Sequence, residues 1–234
     1  MSFFTSFGII IISMLILGLL QLVPGIFALF SHYALGKFSK AKASDFALFF
    51  ILGVEVISAC FFLSTYFLMS ILLIDNAEFE NGQLAWGFAG LLIALAVFCL
   101  IFYYRRGKGS KLFIPRAYSE AIDHNAKTVK NRSGAFLLGL LSGSCELILT
   151  LPLYLVVAVQ ILKIESLGLP ANLIAIVFIL APIVSLFFTY WQYRYGYNLA
   201  DIMKRRSKIK PFIRITLSIC YSILAILIIQ SGAL

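Results

Sequence analysis

Two acidic residues, Glu55 and Glu146, stand inside long apolar runs where no Lys or Arg shares their depth. An ionised carboxylate in hydrocarbon costs about 3 kcal/mol or more, so each must be protonated, hydrogen-bonded or open to a wet cavity. A carboxyl held in that way can exchange a proton or bind a cation, which is the chemistry of coupled transport. Glu146 has hydroxyls close by in sequence at Ser142, Ser144 and Thr150, and Gly143 can admit a neighbouring backbone. Glu55 follows Gly53 and has Ser58 about one helical turn further on. The plainer alternative is a pair of neutral carboxylic acids bonded to nearby carbonyls for packing.

Two short segments are suited to interrupting helices: Pro24-Gly25, and Ser142-Gly143-Ser144-Cys145 just before Glu146. Proline removes a helix hydrogen bond and glycine weakens a helix. Such positions also serve as ordinary kinks or as close contacts between helices. Other chemistries find little support. Cys60, Cys99, Cys145 and Cys220 lack CxxC spacing, and neither His32 nor His124 has neighbours at metal-ligand spacing. A serine hydrolase built on Ser142 or Ser144 needs a base, and no His occurs in any later apolar run. The expectation is a non-enzyme with no metal and no cofactor.

The elements that position these residues are membrane helices. The chain of 234 residues is 62% hydrophobic and 12% charged, with a mean hydropathy of +1.00, far above the apolar share of a soluble domain. About 20 apolar residues cross a bilayer core, and six runs qualify: roughly 6–32, 46–74, 84–104, 134–162, 170–193 and 211–231. The first reads as a retained helix, because no basic segment precedes it and it is too long for a signal sequence. Eighteen of the nineteen Lys and Arg residues fall in Lys37–Lys42, Arg105–Arg132 and Arg194–Arg214. Basic segments are retained on the cytoplasmic side, so this alternation predicts both termini outside.

The expected organisation is one integral domain: a three-helix half over 1–104, a basic cytoplasmic loop over 105–133 and a second half over 134–234. Within the loop, Pro115, Ile114, Tyr118, Ile122 and Val129 fit either an amphipathic helix on the inner leaflet or a solvated basic linker. The net charge of +9 is confined to membrane-flanking segments. It therefore points to anionic lipid rather than nucleic acid. The aromatic run Tyr190, Trp191, Tyr193, Tyr195 and Tyr197 suits an interfacial belt.

Runs one and four share Leu-Gly-Leu-Leu, at Leu17–Leu20 and Leu138–Leu141, each followed by a polar or breaking cluster. Two blocks of three spans invert across a membrane, as in transporters whose broken helices line a central site. "LGLLQLVPGIFALFSHYALGK", followed by "FFILGVEVISACF", resembles the opening of the LysE-type exporter superfamily, and "GAFLLGLLSGSCELILTLPLYLVV" resembles the start of its second half. The resemblance covers about a third of the chain. It implies an all-α transmembrane six-helix bundle of two inverted three-helix repeats in the cytoplasmic membrane, exporting a small solute or ion.

The departures matter as well. The thiol-electron transporters of the DsbD and CcdA type, in the same broad group, pair a cysteine in span one with another in span four. Here Cys145 has no counterpart near Pro24. The Asn-Pro that the resemblance implies in the second half is replaced by Ser144-Cys145-Glu146. The expectation is thus an exporter with Glu146 and Glu55 as proton or cation groups, and with Pro24, Gly25 and Ser142 to Cys145 along the pathway. A non-transporting accessory or envelope-lipid delivery protein stays open as the alternative, a thiol-electron transporter remains a third reading, and a homo-oligomer is compatible with each.

Overall fold

The structure is a computed structural model that describes residues 3–20, 40–75, 83–101, 122, 124–126, 128–166, 170–195 and 199–231. Pro24, Gly25, His32, Tyr197 and most of the 105–133 loop lie outside the described residues. All the regular structure among the described residues is helical. The elements are α1 (Phe3–Leu20), α2 (Lys40–Asp75), α3 (Gln83–Ile101), α4 (Arg132–Cys145), α5 (Leu147–Ser166), α6 (Ala171–Arg194) and α7 (Leu199–Ser231).

Three helical stretches are long and apolar enough to cross a membrane: Lys42–Leu72 in α2, Ala171–Arg194 in α6 and Pro211–Gln230 in α7. The pair α4 and α5 qualifies when taken together, but it bends by 78° at the break between them. Phe4–Leu20 and Trp86–Ile101 are shorter apolar helices. The run 134–162, expected as one span, is therefore two helices. Pro152 lies just past the break and deprives the carbonyl one turn earlier of its donor, which favours a bend there.

The start of α7 and part of the 105–133 loop differ from the expectation. The basic stretch Lys204 to Lys210, which precedes the expected span 211–231, is helical, and α7 runs through it and through Pro211. Lys and Arg are good helix formers, so their charge sets which end faces water without ending the helix. The side chains of Ile122 and Val129, two of the apolar positions of the 105–133 loop, are buried together with Ala126 in one cluster with Phe46, Ala47 and Tyr190.

The helices interlock across the halves of the chain. The most extensive contact joins α2 to α4, the next joins α3 to α7, and α1 packs mainly on α5, α6 and α7. At one end Lys42 of α2, Arg132 of α4 and Arg194 of α6 surround a single cavity. Toward the other end Ser6 Oγ donates to Gln160 Oε1 at 2.9 Å. There too Tyr66 donates to Glu165 at 2.6 Å, and Gly8 approaches Leu227. Phe67, Val184, Phe188 and Ile226 point outward, as lipid-facing residues would.

The crossing of α2 and α4 depends on small residues. A Cβ at Gly53 would stand 3.1 Å from the Gly139 Cα and 3.0 Å from the Leu140 nitrogen, and would also strike the Phe136 carbonyl oxygen. A Cβ at Gly139 would in turn strike the Phe50 carbonyl oxygen. Gly139 and Gly143 form a GxxxG pair that brings the two backbones together.

Candidate functional site

The close crossing carries two polar groups of α2 toward the break between α4 and α5. α4 starts at an N-cap, Asn131, whose side-chain oxygen accepts from the Gly134 nitrogen at 2.8 Å. It ends at Glu146, the single residue between α4 and α5, where the chain turns. There the Glu146 nitrogen donates to the Gly143 carbonyl at 3.1 Å. The Glu146 carbonyl accepts from the nitrogens of Leu149 and Thr150 at 3.0 and 3.1 Å. Glu146 is buried, with 8% of its surface exposed.

Tyr154 is the hub of the surrounding cluster. Its hydroxyl lies beside the hydroxyls of Ser58 of α2 and Thr150 of α5, and it is within electrostatic reach of both Glu146 and Glu55. Glu55 and Glu146 are thus brought to one polar layer formed by α2, the break and α5. Both carboxylate oxygens of Glu55 are buried, and among the described residues they have no hydrogen-bond partner. An ionised group in that position is costly, so Glu55 requires a proton, a cation or water.

The polar layer divides the core. On the side of the cationic cavity lies one apolar cluster, with Phe46, Phe50, Val54, Leu138 and Leu186. On the other side a larger cluster draws on α1, α3, α5 and α7. At that boundary Phe62, Tyr154 and Phe178 form a buried aromatic triad, with ring centroids 5.0 Å apart for Phe62–Phe178 and 6.1 Å for each of the other two pairs. The triad closes the polar layer toward the end that holds Glu165.

The other sequence candidates occupy different places. Gly143 packs against Val54 and Ile57 of α2. Ser144 donates to its own helix at the Leu140 carbonyl, 2.8 Å away. Ser142 is buried, Cys145 is half-buried beside Glu146, and all four cysteines are free thiols. Tyr154 escaped the reading of the sequence, although Glu146, Thr150 and Tyr154 recur every four residues on one helical face. The GxxxG pair was also legible and went unread. Among the described residues no three His, Cys, Asp or Glu side chains gather as a metal site. No family model, curated protein or solved structure matches the chain.

Proposed function

We propose that this chain is a multi-pass transporter of the cytoplasmic membrane, with six crossings in two inverted halves, that moves a small solute or ion coupled to protons through Glu55 and Glu146. The observation that carries this reading is the buried Glu55 carboxyl, unpartnered among the described residues, in one layer with Glu146 and a helix break. Helix breaks at membrane depth persist where they line a cavity or a substrate site.

The pattern of contacts supports the inverted repeat. If α1 corresponds to the α4–α5 pair, α2 to α6 and α3 to α7, the contact of α1 with α6 mirrors that of α5 with α2. The α1–α7 contact mirrors α5–α3, while α2–α6 and α3–α7 are their own mirror images. The gathering of Lys42, Arg132 and Arg194 at one end supports a cytoplasmic face there, with the ends of α1 and α7 opposite. In this reading the Phe62–Tyr154–Phe178 triad stands between the acids and the outer side.

Proteoliposomes carrying a pH dye, challenged with a panel of amino acids and monovalent and divalent cations, test the proposal. Solute-dependent proton movement is expected for at least one class and is lost in Glu146→Gln. A protein silent across the panel, or an unaltered Glu146→Gln variant, overturns it.

A further inference from the structure

The cavity at the basic end holds a feature that the transport reading does not use. It measures about 530 Å³ and is lined by Lys42, Ser44, Asp45 and Leu48 of α2, Arg132 of α4, and Tyr190 and Arg194 of α6. That volume lies in the range of small-molecule sites. Three cationic side chains face one carboxylate, so the lining carries an excess of positive charge.

Both guanidinium groups make directional contacts at the exposed rim of the cavity. Arg132 donates through Nε to Asp45 Oδ2 at 2.8 Å and lies over the Phe49 ring, 5.4 Å from its centroid. Arg194 donates to the Tyr190 hydroxyl at 2.6 Å and sits 6.0 Å from the centroid of that ring. Planar guanidinium groups suit bidentate recognition of phosphate oxygens. Arg132, the first residue of α4, stands at the rim of the same cavity.

The independent sign of a ligand is Ser44. It is only 6% exposed and lines the cavity, and among the described residues its hydroxyl has no hydrogen-bond partner. A buried hydroxyl without a partner is costly, and a turn of the Ser44 side chain about χ1 would offer it to an anion in this cavity. We infer that the cavity among α2, α4 and α6 is a binding site for a phosphate-bearing anion, held by Arg132, Arg194, Lys42 and the Ser44 hydroxyl. Two sources share that chemistry: the headgroup of an anionic phospholipid, and a free phosphate or phosphate ester from the aqueous side. Exposed Trp191 and Tyr195 at the same end of α6 suit the level of lipid headgroups.

The test is binding rather than flux, so its outcome is independent of whether the protein transports. Purified full-length protein in a neutral detergent is titrated with inorganic phosphate and with short-chain phosphatidylglycerol, with short-chain phosphatidylcholine as the zwitterionic control. Binding is read by thermal shift and native mass spectrometry. Saturable binding of phosphate identifies the aqueous source, and saturable binding of phosphatidylglycerol alone identifies the lipid; either supports the inference.

Ser44→Ala should weaken the bound anion about fivefold and Arg194→Gln about tenfold. Variants are compared only where elution and unliganded unfolding match the parent, and Ser44→Ala removes only a hydroxyl from the fold. The inference is overturned if neither anion saturates, if phosphatidylcholine binds as well as phosphatidylglycerol, or if Ser44→Ala binds like the parent.

Discussion

Replacing Gly53 by alanine tests the packing that brings α2 to the helix break. The new Cβ would meet the Phe136 carbonyl oxygen inside van der Waals contact, the Leu140 nitrogen at 3.0 Å and the Gly139 Cα at 3.1 Å. All three are backbone atoms, so none can rotate aside and the two helices must separate along their most extensive contact. Overpacking costs about 1–3 kcal/mol, and three fixed neighbours place this case near 3. Exchanging Gly for Ala within a helix returns about 1 kcal/mol, which leaves a net loss of about 2 kcal/mol. For a chain of this size that is a fall of about 4–8 °C in Tm. Tryptophan fluorescence during thermal unfolding in detergent reads the change. Gly90→Ala in α3 is the control, because nothing lies within 4 Å of its Cβ position. If Gly53→Ala unfolds at or above the temperature of Gly90→Ala, the close crossing is not as described.

Two further outcomes follow from buried polar groups and from the thiols. Ser6→Ala leaves the fully buried Gln160 amide without its serine donor and should cost about 1–3 kcal/mol, while adding Gln160→Leu should recover most of the loss in the same unfolding assay. Denatured without reductant, the chain should titrate four thiols; fewer would mean a disulfide and would revive the thiol-electron reading.

What the sequence made legible was the chemistry that apolar runs cannot hide. Glu55 and Glu146 stand out because a carboxyl at membrane depth has no bland solvation, and the basic segments stand out because charge avoids hydrocarbon. The break beside Glu146 is marked by Gly143 and, six residues after Glu146, by Pro152. Tyr154 was hidden because a tyrosine in an apolar helix reads as packing until a partner such as Ser58, nearly a hundred positions earlier, is placed beside it. Gly53 was hidden for the same reason: its need for a bare backbone comes from Phe136 and Gly139, which local sequence does not supply. The helical course of Lys204–Lys210 is not legible in a charge pattern, which reports sidedness and carries little information on backbone conformation.

The central claim is that Glu55 couples proton movement to solute movement. Its most direct test compares Glu55→Gln with the parent in proteoliposomes, for whichever solute the panel identifies, in two modes: accumulation driven by a pH gradient and exchange of labelled for unlabelled solute without one. The glutamine variant should lose gradient-driven accumulation and retain exchange, because it keeps the shape of the site and lacks the exchangeable proton. Gradient-driven accumulation at the parental rate in Glu55→Gln would contradict the account.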